Sequence, residues 1–393
     1  MVIGGGFAGV WSAAAAARLR ERTGRTDMTV MLITPGDQLV IRPRLYEPEP
    51  TRMQVPLDRI LGPIGVQQLR AQVTQIDTRT DEVTTRDGAG RTHAVHYKRL
   101  VLATGSHLRH PDLPGAEHLH NVDTMESAIA LENHLDALPA GPDMYKAVVV
   151  GAGFTGLEVA TELVDRLRSR ASWTGRETEV RVVLVERADQ VGPDIGDYPR
   201  AAIEAALKET GVEVQLGVGV TAVSSTGVQL TNGGFVAAPT VIWAGGLTAS
   251  GLTRQIAGRR DDLDRILVDD ALRVPDAPHV FAAGDTASAA LDDGRTVLQS
   301  CQYASQLGKH AGHNAMADLV GVAPVAFSAI PYVTCLDLGA AGAIFTTGFE
   351  RSVQLTGTAG KDRKRLINQE WIYPPLDDAK RILAAADHAS NRR

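Results

Sequence analysis

The chain has 393 residues, a net charge of −6 and an apolar fraction of 44%. This length suits two or three domains of about 150 residues each, and the composition is ordinary for a globular protein. The negative charge disfavours nucleic acid and anionic membranes as partners. No apolar run approaches the ~18 residues of a membrane-spanning helix, and no signal peptide is evident. We therefore expect a cytoplasmic protein, soluble or weakly peripheral, without a transmembrane segment.

The predicted elements form a pattern that occurs twice. Each copy has an apolar strand, a glycine loop, a helix and a second apolar strand. The first copy consists of Met1–Ile3, Gly4–Gly9, a helix over about Val10–Glu21, and Thr29–Ile33. Strand-like runs at Gln72–Ile76 and Leu100–Ala103 follow, then breaks at Pro111–Gly115 and Pro139–Pro142. The second copy consists of Ala147–Val150, Gly151–Gly156, a helix over about Leu157–Ser169, and Val180–Val185. Strands that alternate with helices favour parallel sheets with helices on both faces.

The two glycine loops have the spacing Gly-x-Gly-x-x-Gly and lie 147 residues apart in the chain. Each follows a strand and opens a helix, the context in which this spacing predicts dinucleotide binding. The first glycine permits a tight turn, the second lets the backbone approach a pyrophosphate, and the third lets helix and strand pack closely. The free N–H groups at the helix start then face the phosphates. The predicted binding residues are Gly4, Gly6, Phe7, Ala8 and Gly9 in the first loop and Gly151, Gly153, Phe154, Thr155 and Gly156 in the second.

The residue that ends the second strand of each copy is expected to contact the ribose. In the second copy this is Glu186, whose carboxylate accepts hydrogen bonds from both hydroxyls and repels a 2′-phosphate. NADH is therefore favoured over NADPH, although the adjacent Arg187 could meet a 2′-phosphate. In the first copy the equivalent residue is Thr34, a weaker ribose partner, so that Asp37 or backbone groups could take over this contact.

The sequence resembles the pyridine-nucleotide-dependent flavoprotein oxidoreductases with two dinucleotide-binding domains, and within them the type II NADH dehydrogenase-like branch. The resemblance covers nearly the whole chain to about residue 320. It rests on both glycine loops and on four further segments: Arg42–Glu47, Leu102–Ser106, Trp243–Gly246 and Val280–Asp285.

The resemblance implies a role for several residues. Asp285, after Gly284, would bond the ribityl chain of FAD, and Thr104 and Gly105 would line the flavin. Gly245 would let the nicotinamide cofactor approach the backbone. Glu158 would lie near the junction of nicotinamide and flavin, or would only be an acidic residue that the helix dipole favours near the helix N-terminus. Arg42 would bind pyrophosphate or lie on a solvated face.

The resemblance also implies the architecture. We expect an α/β fold of two Rossmann-type three-layer domains, the second inserted in the first, plus a small C-terminal α+β domain. The expected boundaries are 1–120 and 251–320 for the FAD domain, 121–250 for the NAD(P)H domain and 321–393 for the C-terminal interface domain. A homodimer is compatible with this plan.

The implied function is an FAD-dependent enzyme that takes hydride from NADH and passes two electrons to a quinone-like or other small organic acceptor. One alternative is a flavoenzyme of secondary metabolism that acts on a specific small molecule. A second is a redox-sensing flavoprotein that binds NADH with negligible turnover. Steady-state NADH oxidation with a panel of acceptors separates an enzyme from a sensor.

The acceptor site is predicted within Leu298–Lys309, which resembles the Ala-Gln-x-Ala-x-Gln quinone motif of the type II branch, with Cys301 in place of the first alanine. Gln302 and Gln306 are four residues apart and would share one helix face. A glutamine amide can donate to a quinone and accept from a hydroquinone.

Metal and disulfide chemistry are not expected. Cys301 and Cys335 are far apart and form no Cys-x-x-Cys pair. His107, His110, His118 and His120 crowd one stretch, but no cysteine or paired carboxylate joins them. We interpret this stretch as a solvated loop.

Overall fold

The computed structural model describes residues 1–138, 141 and 143–390 and contains two parallel sheets. The strands of the first sheet, in spatial order, are Arg273–Val274, Ala277–Ala282, Leu100–Leu102, Val2–Ile3, Met31–Thr34 and Gln67–Arg70. Only the edge strand Arg273–Val274 runs antiparallel to its neighbour. The strands of the second sheet are Glu213–Gln215, Arg181–Val185, Lys146–Val150 and Thr240–Trp243, all parallel.

The chain builds part of the first sheet, forms the whole second sheet, and then returns to the first. This order agrees with an inserted second domain, and the exact boundaries stay a prediction. The break expected at Pro139–Pro142 involves residues 139, 140 and 142, which lie outside the described residues.

The α-helices of the described residues are α1 (Phe7–Arg22), α2 (Asp58–Leu61), α3 (Met125–Asp136), α4 (Phe154–Ser172), α5 (Arg200–Thr210), α6 (Cys301–Val320), α7 (Gly357–Leu366) and α8 (Ala379–Ala385). Helices α1 and α4 each begin three residues earlier than the sequence predicted, because Gly6 and Gly153 are themselves the N-cap residues. Glycine is a poor helix former, so the prediction placed both starts beyond the glycine run.

The expectation of helices on both faces of each sheet is wrong. One face of the first sheet packs against α1 and α6, and the other packs against three antiparallel strands, Gln72–Asp77, Glu82–Arg86 and Thr92–His96. Strands Val220–Ser224, Gly227–Leu230 and Phe235–Ala237 cover the second sheet in the same way. Each domain therefore has three layers, of which one is an antiparallel sheet. Apolar residues in these strands, such as Val73, Ile76 and Val83, reach the parallel strands and bury their outer face.

Short two-stranded pairings and a C-terminal sheet complete the structure. The pairs are Gln38–Val40 with Gln54–Pro56, Ser106–Leu108 with Leu247–Ala249, and Ile266–Leu267 with Ala287–Ser288. Strands Val333–Asp337, Ala343–Thr347 and Ser352–Leu355 form the C-terminal sheet, against which α7 packs. The predicted α/β fold with a small C-terminal α+β part is confirmed. No helix among the described residues is long and apolar enough to cross a membrane.

Helices α1 and α6 pack at very short range because α6 carries glycines at the crossing. A Cβ on Gly308 would lie 2.4 Å from the carbonyl oxygen of Ala8, and one on Gly312 would lie 2.0 Å from that of Ser12. Ser12 Oγ donates to the carbonyl oxygen of Gly308 at 3.0 Å. This packing fixes the start of α6 beside the first glycine loop.

We expect Gly312→Ala to lower the melting temperature by about 3–6 °C, because overpacking costs about 1–3 kcal/mol. The better helix propensity of alanine offsets this by at most about 1 kcal/mol. Gly88→Ala is the control, since Gly88 is exposed and a Cβ there meets nothing within 4 Å. Thermal unfolding followed by circular dichroism measures both variants, and equal melting temperatures would contradict the proposed close contact.

Candidate functional site

The two glycine loops have nearly the same geometry. Gly4 and Gly151 have φ angles of 113° and 105°, a region that favours glycine. A Cβ on Gly9 or on Gly156 would lie 1.8 Å from the carbonyl oxygen of Gly4 or Gly151, respectively. Only glycine therefore lets each helix start so close to its strand.

Open space remains at the middle glycine of each loop. A Cβ on Gly6 or Gly153 would meet nothing within 4 Å, and neither residue supplies a side-chain cap. The first turns of α1 and α4 carry no acidic residue. The N–H groups of Phe7 and Ala8, and of Phe154 and Thr155, thus belong to uncapped helix starts that suit a phosphate.

Asp285, predicted to bond the ribityl chain, follows Gly284, which lies between α1 and α6. Gly284, at the start of a short 3-10 turn, would place a Cβ 2.7 Å from that of Ala8. A Cβ on Gly105 would meet nothing within 4 Å. Thr104 Oγ1 is buried and has no hydrogen-bond partner. Since buried hydroxyls normally find a partner, this orphaned oxygen and the open space beside it fit a bound FAD.

Arg42 and Asp285 belong to one polar network rather than to a solvated face. Ser106 Oγ donates to Asp285 Oδ2 at 2.6 Å, and Arg42 Nη1 donates to Ser106 Oγ at 2.9 Å. Arg42 also forms an ion pair with Asp123 and lies 3.7 Å from Asp285 Oδ2. Sequence analysis missed Asp123, which no motif marks. The network places an arginine and an acceptor carboxylate at Ser106, two residues after Thr104.

Glu186 lies at the carboxyl end of its strand, beside the second glycine loop. Its Oε2 accepts from the N–H of Ala152 at 2.7 Å, and its Oε1 accepts from Ala188 at 3.0 Å. The side chain is buried. A carboxylate has further lone pairs, so this position can still accept from ribose hydroxyls.

Thr34 occupies the equivalent place in the first sheet, where a Cβ on Gly5 would lie 2.7 Å from Thr34 Oγ1. A cavity of about 360 Å³ adjoins it, lined also by Gly36, Gln38 and an ion pair between Asp37 and Arg70. Asp37 thus lines the pocket beside Thr34, and its contact with the ribose stays a prediction.

Glu158 is buried on α4 and forms an ion pair with Lys364 of α7. Lys364 Nζ lies 2.7 Å from Glu158 Oε1, which also accepts from the N–H of Asp337 at 3.1 Å. Burial raises the pKa of Glu158, and the ammonium of Lys364 opposes that shift. Sequence analysis missed Lys364, because nothing marks it 206 residues from its partner. The pair joins the second glycine-loop helix to the C-terminal sheet.

The Arg42–Glu47 segment meets the same cluster. Tyr46 Oη donates to Asp337 Oδ2 at 3.2 Å, and Lys364 Nζ lies 5.6 Å from the Tyr46 ring centre. Burial raises the pKa of Tyr46 well above its ordinary value. This motif therefore holds the C-terminal part against the first domain.

The two glutamines of α6 differ in their contacts. Gln302 donates from Nε2 to Pro331 O at 3.1 Å and accepts at Oε1 from Val333 N at 3.2 Å. Gln306 accepts at Oε1 from Ile330 N at 2.9 Å, but its Nε2 is buried without a partner. Both side chains tie α6 to the C-terminal part, and of the two only Gln306 has a buried Nε2 without any hydrogen-bond partner.

Gly245 lies beside a tryptophan: a Cβ there would be 2.9 Å from the ring of Trp243. Trp243 Nε1 donates to Arg109 O at 3.0 Å. The contact lies at the end of strand Thr240–Trp243, which pairs with the strand before the second glycine loop. The backbone of Gly245 lies next to Gly151 of that loop.

The histidine stretch is not simply a solvated loop. His107 lies in a strand paired with Thr248, and His120 stacks on His134 at 4.1 Å. Burial lowers the pKa of His120 to about 4. The backbone of His120 pairs with the second sheet, which explains its partial burial. The described residues contain no group of histidine, cysteine and acidic side chains placed to hold a metal ion.

Residues 1–308 match the family described as pyridine nucleotide-disulphide oxidoreductase. The chain belongs to this family. An NADH dehydrogenase-like protein of Mycobacterium tuberculosis is 44% identical over 98% of this chain and 97% of its own length. The demethylphylloquinone reductase of Synechocystis is 28% identical over 96% of both chains. Family membership confirms the resemblance drawn from the motifs.

The same fold extends over nearly the whole chain. The structure of NDH2 from Plasmodium falciparum in complex with NADH is similar to this chain with a TM-score of 0.80, over 98% of this chain and 96% of its own length. Its sequence identity is 13%, so that this likeness concerns the fold alone. The predicted fold of two Rossmann-type domains is thereby confirmed.

Lys364→Met should destabilise the protein by about 3–5 kcal/mol at neutral pH, because it leaves the buried Glu158 carboxylate without its cation. The penalty depends on pH. Burial raises the pKa of Glu158 above its unfolded value of about 4.3. The penalty is therefore absent below that pH, grows as pH rises from there to the folded pKa, and is constant above it.

Melting temperatures at about pH 5 and about pH 8 test this. The matched control is the double variant Glu158→Gln, Lys364→Met, which removes both charges and should lose the pH-dependent part. An equal loss at both pH values in the single variant would mean that the Glu158 charge is not the cause.

Proposed function

We propose that this protein is an FAD-dependent oxidoreductase that takes hydride from NADH and passes two electrons to a quinone-like acceptor. The observation that carries the proposal is the pair of uncapped glycine loops, one at each parallel sheet. The names of its relatives, an NADH dehydrogenase-like protein and a demethylphylloquinone reductase, support it. A cytoplasmic location and a homodimer stay predictions.

The residues present fit both cofactors. The first glycine loop, Thr104, Gly105 and Asp285 would hold FAD, with Arg42 positioned through Ser106. The second loop, Glu186 and Gly245 would hold the nicotinamide dinucleotide. When bound, FAD supplies the hydride and electron chemistry, while the protein supplies orientation and electrostatics. No side-chain nucleophile is required.

The buried Glu158–Lys364 pair would act on the nicotinamide side of the site. Glu158 lies in the second turn of α4, so it fixes this helix against the C-terminal sheet. The pair also keeps a carboxylate and an ammonium close to the helix start where the nicotinamide dinucleotide would bind. We propose that it positions that helix and can hold or release a proton there.

Purified protein should be yellow, release FAD on heat denaturation, and be bleached by NADH faster than by NADPH. Glu186→Gln should shift the rate ratio toward NADPH by about 10-fold, because it removes the repulsion of a 2′-phosphate and weakens the ribose contact. Stopped-flow absorbance measures flavin bleaching by both nucleotides.

Glu213→Gln is the control, since Glu213 is an exposed acid on the same sheet and is paired with Arg181 at 2.7 Å. It should leave the nucleotide ratio unchanged. A wild type that prefers NADPH, or an unchanged ratio in Glu186→Gln, would remove Glu186 from the ribose site.

Of the two glutamines, Gln306 is the better candidate to bind the quinone, because its Nε2 has no hydrogen-bond partner. Gln306→Leu should slow reoxidation of the reduced flavin by a short-chain quinone by about fivefold, as expected for one lost hydrogen bond of ~1 kcal/mol. Bleaching by NADH should be unaffected. Gln302→Leu should instead lower the melting temperature, because both of its amide atoms bond the backbone.

Gln255→Leu is the matched control, because Gln255 also bridges backbone groups but lies far from the site, against Thr74 and Ile76. The two half-reactions are followed separately by stopped flow. Unchanged quinone reoxidation in Gln306→Leu would show that this residue does not contact the acceptor.

A further inference from the structure

Arg351 is a buried arginine on the C-terminal sheet that no motif marks. It follows the turn after strand Ala343–Thr347 and is 5% exposed. Its guanidinium lies 4.9 Å from the ring centre of Phe154 and 5.3 Å from that of Tyr332. Its backbone has a φ of 57°, the left-handed region that is costly for a side chain other than glycine. The fold therefore places this side chain between two aromatic rings.

The charge of Arg351 has no acidic partner. None of the ion pairs formed within residues 1–138 and 143–390 includes it. The guanidinium bonds the hydroxyl of Tyr332, which is a neutral partner, and its Nη1 is buried without a hydrogen bond. Aromatic faces compensate a buried cation only in part. Because buried charges are normally paired, an unpaired guanidinium indicates a place where an anion binds.

The helix start that lies beside Arg351 is that of α4. Phe154, on which the guanidinium stacks, is the first residue of that helix, directly after the uncapped Gly153. Arg351 also lies against the loop that contains Gly196, because a Cβ on Gly196 would be 4.0 Å from Arg351 Cγ. The same loop bonds the second glycine loop, since Gly192 N donates to Ala152 O at 3.1 Å. The C-terminal sheet thus brings a cation to the mouth of the second glycine loop.

We propose that Arg351 binds the pyrophosphate of the nicotinamide dinucleotide, opposite the N–H groups at the start of α4. The planar fork of an arginine matches two phosphate oxygens, and a helix start supplies donors from the other side. This inference rests on the proposed function, in which the second glycine loop binds NADH. It makes the C-terminal part a component of the nucleotide site.

The test measures binding of ADP-ribose, which contains the pyrophosphate but cannot deliver hydride, to the flavin-loaded protein by isothermal titration calorimetry. Arg351→Met should weaken binding by about 10- to 100-fold, as expected for loss of charge-assisted hydrogen bonds. Arg351→Lys should lie between, because it keeps the charge without the fork. The affinity of Arg351→Met should also depend less on ionic strength than that of the wild type.

Arg295→Gln is the matched control. Arg295 stacks over Phe349 at 4.0 Å in the same aromatic cluster, but its charge is already paired with Asp293 at 2.5 Å. It should bind ADP-ribose as the wild type does. The flavin content and melting temperature of Arg351→Met should match the wild type or exceed them, because methionine fills the aromatic slot without burying a charge.

Wild-type affinity and salt dependence in Arg351→Met would overturn the inference. A lowered melting temperature with loss of flavin in that variant would also overturn it, in favour of a structural role. If the wild type binds ADP-ribose and its flavin is bleached by NADH, while Arg351→Met binds ADP-ribose equally well, the proposed function stays intact and only the role of Arg351 is wrong. A wild type that shows neither property overturns both.

Discussion

Helices α1 and α4 each begin where a carbonyl oxygen leaves no room for a side chain. At Gly9 and Gly156 that oxygen lies 1.8 Å from where a Cβ would be. This contact sets each helix start at the carboxyl end of its strand, with uncapped N–H groups facing outward. The remaining structure is arranged around these two starts. The first receives Thr104 and Asp285, and the second receives Glu186 and, from the far end of the chain, Arg351.

The C-terminal part contacts both the α4 and the α6 helices. Helix α7, which packs on this sheet, supplies Lys364 to a buried carboxylate on α4. The first strand of the sheet and the segment before it bond the two glutamines of α6. The same sheet thus contacts the helix of the second glycine loop and the helix that adjoins the proposed flavin site.

Several predicted site residues needed the structure to separate their contacts. Gln302 and Gln306 share a helix face, as the spacing predicted, yet only Gln306 has an Nε2 without any hydrogen-bond partner. For Arg42 the sequence allowed either pyrophosphate binding or a position on a solvated face. Its contacts with Ser106 and Asp123 place it in the polar network near Asp285. Periodicity cannot make these distinctions, because it shows which residues share a face and not what they meet.

The sequence by itself determined the two glycine loops, the strands before them, the two-dinucleotide fold and the family, because these depend on short-range spacing and local conformational preferences. Only the tertiary structure decided what covers the parallel sheets, where antiparallel strands replace the expected helices. It alone also joined Glu158 to Lys364 and brought Arg351 to Phe154. These contacts link residues roughly 200 positions apart, so they arise from the packing of separately formed elements, and no local pattern in the chain encodes them.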